Sequence, residues 1–389
     1  MIKIKLNHNK FSPNDCMYKE ENKEDFEYKI DCKIDEELLN TKKVYSKYFQ
    51  KNGFQRFHRI YDYFIYEKKN IEKEFKTPHV TNAWIKFQEL VTDFQLIPDS
   101  ADKFIYFDNA AFPGAFIYAI NHYVSTKTDI KDFLWYGSSL LGGEDIALQD
   151  RYKLYKRFPE KWLMDDKNKG DVTDINNIEY WEKYFHNTVD LYTSDLGMDV
   201  SHDYAKQEEI QLPPNIGQIL AGLVVLKNGG SMVTKQYTIF LSQNLSILAL
   251  LTNLFEEVYV AKPITSRPFN SETYIVCKKF LGPFKKDTPG FLIINEIKNK
   301  IANYNKLAFI KKKCFDKNFL SSIKDVFNKI FYRQIDIIYE EMKLFDKLEK
   351  TKTFKERKKI YELIEKKRRS VVDIWNKTIK LKKLEKRKI

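Results

Sequence analysis

Between residues 104 and 278, short apolar runs alternate with helix-period segments, and few folds accept that alternation. Residues 104–108, 133–136, 189–195 and 231–237 read as strands, each a brief aromatic or branched run bounded by polar or turn residues. Helical spacing fills the gaps. One helix is predicted over 116–124 after the Pro113-Gly114 turn, and another over 245–255. A third starts at Asn215 and puts Ile216, Ile219, Leu220, Leu223 and Leu226 on one face. Pro213-Pro214 is expected to block any earlier start of this helix, and Gly229-Gly230 to close it. Alternation of this kind implies a parallel, doubly wound sheet with helices on both faces and ligands at the carboxyl ends of the strands. Two further strands, 257–262 and 273–278, have only a loop between them and are predicted to pair antiparallel at one edge.

The flanks carry less pattern. Residues 1–75 are charged and aromatic and read as an N-terminal extension, in which YDYFIY (61–66) suits a buried strand or the apolar side of a helix. Residues 76–280 hold the sheet pattern. Residues 281–389 read as a helical, basic C-terminal region. There Ile323, Val326, Phe327, Ile330, Ile337 and Ile338 make one stripe, continued by Met342, Phe345 and Leu348. Ile360, Leu363, Ile364, Val371, Trp375 and Ile379 make a second, which packing between helices explains.

Of the formal net charge of +13, residues 341–389 contribute +11, so a positive surface is expected there. Such an excess favours a polyanion, nucleic acid before membrane, because bound phosphates release condensed counterions. The longest apolar run, 247–255, is far too short to span a bilayer. Cys16, Cys32, Cys277 and Cys314 show no metal-ligand spacing and are expected as free thiols in a reducing, intracellular setting. No metal site is predicted.

Several side chains are placed for chemistry. Asp108 ends the first strand, and the turn Asp108-Asn109-Ala110-Ala111-Phe112-Pro113-Gly114-Ala115-Phe116 leads into a helix whose N-terminus can receive a carboxylate. Asp195 and Lys235 end strands that lie side by side at about 5 Å, so their heads can meet. A nearby Lys86 and partial desolvation are expected to push the Lys235 amine downward, towards the range of a working base, with Asp195 pulling the other way. Glu272, before the last strand, can fix Lys235 or a ribose. Asp171 suits the exocyclic amine of a base, and Arg267 a phosphate. Taken singly, each of these residues is more often a surface ion pair or a solvated turn.

Together they stand in specific wording. NAWIK (82–86), GDVTD (170–174), LYTSDLG (191–197), GGSMVTK (229–235) and KPITSRPFNSETYIVCK (262–278) occur in the order of the FtsJ-like ribose 2′-O-methyltransferases. The stretch from about 77 to 280 resembles that family, and within it the mRNA cap methyltransferases of eukaryotes and large DNA viruses. NAWIK, HDYAKQEE (202–209) and SRPFNSETYIV are similar in particular to the versions of asfarvirus-like viruses. The resemblance implies an α/β, Rossmann-like class I methyltransferase sheet, parallel with an antiparallel edge hairpin, and S-adenosylmethionine as methyl donor.

By that resemblance Lys86, Asp195, Lys235 and Glu272 form a catalytic tetrad. Asp108, Asn109, Pro113, Gly114, Ala115, Phe116 and Asp171 hold the donor, and Ser266 and Arg267 lie against RNA. The implied substrate is capped RNA, methylated on the ribose of its first transcribed nucleotide. Capping or transcription machinery is a candidate partner for the C-terminal region, and no DNA specificity is expected. The implied setting is a cytoplasmic viral factory or virion, or the nucleus of a cell. Phe112 and Ala115 depart from the family's glycines. Two rival functions share the pattern: a ribosomal or transfer RNA ribose methyltransferase, and an RNA-binding scaffold on a decayed methyltransferase.

Overall fold

A computed structural model describes residues 1–17, 20–28, 33–140, 150–164, 169–198, 206–385 and 389. Cys32 and residues 202–205 of the HDYAKQEE stretch lie outside them.

Period-two alternation along the strands divides the interior into two cores. Phe107, Tyr192, Met232 and Cys277 face one way; Tyr106, Leu191, Val233 and Val276 face the other. The strands are β1 (Ile2–Lys5), β2 (Lys103–Asn109), β3 (Asp132–Ser138), β4 (Val189–Ser194), β5 (Leu226–Gln236), β6 (Phe255–Lys262) and β7 (Thr273–Phe280). Among the described residues they form one seven-stranded sheet in the order β1-β6-β7-β5-β4-β2-β3. β3, β2, β4 and β5 are parallel, whereas β7 runs antiparallel to β5 and β6. Helices Ile175–Phe185, Gln207–Val225 and Ser242–Leu254 cover one face, and Asn82–Phe94 and Ala115–Lys127 the other. This is the Rossmann-like sheet expected from the sequence.

Four expectations are corrected. The helix predicted from Asn215 begins at Gln207 and runs through both prolines. Pro213 and Pro214 leave the carbonyls of Glu209 and Ile210 without donors, but those residues are exposed and water can serve them. That helix also ends at Val225, before the glycines, and β5 begins at Leu226. The β6–β7 hairpin is not the sheet edge. β1 pairs antiparallel with β6 and takes the edge, a contact spanning most of the chain. YDYFIY is neither strand nor helix, and a run of turns buries Tyr61, Tyr63 and Phe64.

The thiol expectation is also corrected for one pair: Cys16 and Cys314 are disulfide-bonded. A bridge between Met17 and Ile310, and a bond from the Lys311 amide to the Cys16 carbonyl, bring their Cα atoms to 6.0 Å. Cys277 is free and buried. No described helix is long and apolar enough to cross a membrane.

The C-terminal helices Lys317–Val326, Arg333–Lys350 and Phe354–Ile379 pack on both cores. Of the two predicted stripes, Leu363 is exposed, while Ile360, Ile364, Trp375 and Ile379 are buried.

Candidate active site

Thr81 caps the helix Asn82–Phe94 by accepting from the Trp84 amide, and Trp84, Phe87, Leu90 and Val91 bury its inner face. That seating leaves Lys86 at the carboxyl ends of the strands. Asp195 follows β4, Lys235 sits opposite Tyr274 in the β5–β7 ladder, and Glu272 precedes β7. The four side chains converge as two ion pairs: Lys86 Nζ lies 2.6 Å from Glu272 Oε1, and Lys235 Nζ lies 3.2 Å from Asp195 Oδ1. Lys235 also donates to the Asp195 carbonyl at 2.7 Å.

The charges settle against one expectation. Burial pushes the Lys235 amine down, but Asp195, Tyr237 and Glu272 outweigh it, and the pKa is raised. The downward push expected from Lys86 is offset by Glu272, which pairs with it at contact distance and pulls the Lys235 amine upward. Burial pushes the Glu272 carboxyl up; Lys86 and Lys235, with a hydrogen bond from Ser266, hold it well below the usual range.

A cavity of about 510 Å³ joins this cluster to the turn after β2. Lys86, Asp108, Pro113, Ala115, Phe116, Asp195, Lys235 and Glu272 all line it. Asp108 is buried at its base. Its Oδ1 accepts from Thr193 at 2.6 Å, while Oδ2 has no hydrogen-bond partner among the described residues. Burial, then the charge of Asp195, holds this carboxyl well above its ordinary range. The helix Ala115–Lys127 starts at Gly114 with no side-chain cap, so its first amides are free for a ligand. Gly114 has φ +107°, and an added Cβ would lie 2.2 Å from Leu154 Cδ1, so only glycine fits. Phe112 lines the cavity and packs on Trp162 at 4.5 Å between ring centroids, so an aromatic neighbour accommodates this departure from glycine.

Other predicted residues stand differently. Asn109 is buried behind the turn, where Ser194 reaches its Oδ1 at 3.5 Å. Asp171 does not line the cavity; its Oδ1 accepts from the Thr173 amide and hydroxyl, both at 2.8 Å. The preceding Gly170 abuts the Ser139 carbonyl so closely that a Cβ would lie 2.1 Å from it, and Ser139 Oγ accepts from the Phe112 amide. Asp171 therefore sits beside the turn. Ser266, expected against RNA, is only 4% exposed and donates to Glu272 at 2.7 Å. Arg267 is well exposed, 3.8 Å from Asp62.

Sequence reasoning missed several partners. Tyr274 donates to Asp195 Oδ1 at 2.9 Å, and its placement two residues after Glu272 was the available signal, since period two puts both on one face. Tyr106 shares the Thr193 hydroxyl below Asp108. Lys262 is buried and donates to the carbonyls of Asn270 (2.7 Å) and Glu272 (3.0 Å). A second cavity, of about 420 Å³, is lined by Phe49, His58, Tyr61 and Phe269, with Asp62 and Arg267. Asp62 lies 3.9 Å from Lys68, which lines the first cavity, so the two hollows share a wall.

Residues 79–280 match the model of the FtsJ-like methyltransferase family. The chain is 40% identical over 229 residues to the probable methyltransferase EP424R of African swine fever virus (isolate Pig/Kenya/KEN-50/1950), covering 56% of this chain and 53% of the relative. It is 30% identical over 276 residues to the cap-specific mRNA (nucleoside-2′-O-)-methyltransferase 2 of Danio rerio, covering 68% and 37%. To the uncharacterized protein L511 of Acanthamoeba polyphaga mimivirus it is 33% identical over 228 residues, covering 57% and 29%. The chain thus spans about half the length of the African swine fever virus relative and less of the others. With a family model matched across half its length, the chain belongs to the FtsJ-like methyltransferase family, whose methyl donor is S-adenosylmethionine.

Proposed function

We propose that this chain methylates the ribose 2′-hydroxyl of the first transcribed nucleotide of capped RNA, with Lys235 as the base. The observation that carries the reading is the convergence of the Lys86–Glu272 and Lys235–Asp195 pairs on one cavity. The residues fit the donor. The unpartnered Oδ2 of Asp108 and the uncapped amides at Ala115–Phe116 suit an amine and a carboxylate on one ligand, and Asp171 beside the turn suits its adenine. When bound, S-adenosylmethionine supplies a sulfonium methyl as the electrophile. Lys235 takes the hydroxyl proton, Asp195 and Tyr274 orient its amine, and Glu272 with Lys86 holds the ribose. Alignment of these groups lowers the barrier, because in-line transfer depends on orientation.

The second cavity supports the capped end as substrate. A 7-methylated guanine is cationic, and rings of Phe49, Tyr61 and Phe269 beside the Asp62 carboxylate suit such a base. Arg267 on its rim suits the bridging phosphates. Capped RNA incubated with methyl-labelled donor is expected to gain label on the first ribose, with free 7-methylguanosine triphosphate competing. Label on a base nitrogen, or equal transfer to uncapped structured RNA, would overturn the assignment.

The basic C-terminal region is proposed to hold the RNA body. Because its last helix packs on the core, charge removal tests this better than deletion. Replacing the exposed Lys355, Lys358, Lys359 and Lys366 by glutamine is expected to flatten the log Kd against log salt slope by up to about 3. An unchanged slope would leave the region a purely structural or protein-binding role.

A further inference from the structure

The loop between β6 and β7, residues 263–272, carries Ser266, Arg267, Phe269 and Glu272, and so borders both cavities. Its ends are fixed from within the sheet domain. Glu89 accepts from the Ile264 amide at 2.9 Å and the Thr265 hydroxyl at 2.8 Å, and Lys262 holds the carbonyls of Asn270 and Glu272. Its middle is fixed from elsewhere. Gln334, 1% exposed, donates from Nε2 to the Phe269 carbonyl at 2.7 Å and accepts from the Ser271 hydroxyl at 3.2 Å.

On the same helix, Arg333–Lys350, Glu341 is fully buried and accepts from the Tyr45 hydroxyl and from His58 Nδ1, the latter at 3.1 Å. His58 lines the aromatic cavity, and the Tyr45 ring stacks on Phe269 at 5.9 Å. Seven positions, about two helical turns, separate Gln334 from Glu341, so one buried face presents both. Ile338, Met342 and Phe345 seat that face in the core. Neither polar group belongs in such an interior unless bonded: Gln334 is bonded to the loop at Phe269 and at Ser271, next to Glu272, and Glu341 to His58 of the aromatic cavity and to Tyr45. Both also lie outside the matched family segment, 79–280.

We propose that Gln334 and Glu341 are positioning residues that fix the spacing between the aromatic cavity and the Lys86–Asp195–Lys235–Glu272 cluster. The inference rests on the reading that the cavity takes the cap base and the cluster the ribose. Rigid spacing then selects the ribose at a set distance from the cap. Gln334 acts on Glu272 through the loop, and Glu341 acts on the base through His58 and Tyr45.

The test uses the full chain and a short 7-methylguanosine-capped RNA. Gln334→Met is expected to lower kcat by about tenfold, as a small misplacement does, with KM for the capped RNA kept within about twofold. Glu341→Met is expected to raise that KM by about tenfold with kcat kept, and Glu341→Gln, which can still bond both partners, to restore it. Ser271→Ala, a milder change, should repeat the Gln334→Met pattern if that variant fails to fold. Folded variants with wild-type kcat and KM, or with altered melting temperature alone, would overturn the proposal. If the wild-type chain leaves capped RNA unlabelled, the function reading is what fails. Amide exchange of residues 266–272 then decides the positioning claim: faster exchange in Gln334→Met upholds it, and unchanged exchange overturns it.

Discussion

Lys235→Met is expected to slow methyl transfer by about 10²- to 10⁴-fold, the range that a positioned general base contributes. Methionine keeps the length and packing of the buried stem, so donor binding should stay near wild type. The pH dependence follows from the sign of the shift. The folded-state amine is raised above its ordinary value, so Lys235 carries its proton at neutral pH and must lose it to act. The rate is therefore expected to climb from about pH 6 to about pH 9, roughly tenfold per unit, without a plateau. In Asp195→Asn the largest of the upward pulls is gone, and the climb should level off at lower pH. Stopped-time transfer to capped RNA across this range checks both statements. A flat wild-type profile, or full activity in Lys235→Met, would remove Lys235 from the role of base.

Trp375→Ala is expected to destabilise the fold by about 3–5 kcal/mol, the cost of truncating a buried aromatic side chain. Trp375 is 1% exposed and meets the Phe64 ring edge-on at 5.6 Å. Around it Arg368 pairs with Glu67, the Lys382 carbonyl meets His122, and the Leu384 amide reaches the Phe75 carbonyl. The final helix is thus bound through its apolar stripe to the N-terminal segment and the helix Asn82–Phe94, and the residues after it reach the helix Ala115–Lys127, while its lysines face water. Chemical denaturation checks the magnitude. A loss below about 1 kcal/mol would mean that the stripe is not seated in the core.

Much of the centre of this chain was legible as sequence. Strands β2 to β7 and the turn after β2 follow from local patterns of two and 3.6 residues, which neighbouring residues determine. The meeting of Asp195, Lys235 and Glu272 was legible for the same reason: strand ends in a doubly wound sheet share one edge. Pro213-Pro214 misled because a local rule about missing donors ignores whether water can replace them.

Other features had no local signal. β1 at the sheet edge, the Cys16–Cys314 bond and the Gln334 contact with Phe269 join segments far apart in the chain, and nothing in either segment names its partner. The protonation of Lys235 belongs to the same class. Residue types alone supplied both a neighbouring cation and a neighbouring anion. Only the folded arrangement, in which Glu272 neutralises Lys86 and Asp195 lies against Lys235, decided which of them prevails. Local order along the chain determined the sheet and its reactive edge, because periodicity is a short-range property. The electrostatics of the site and the shape of the second cavity came from tertiary contacts, because Coulomb energy depends on distances that the chain acquires only when folded.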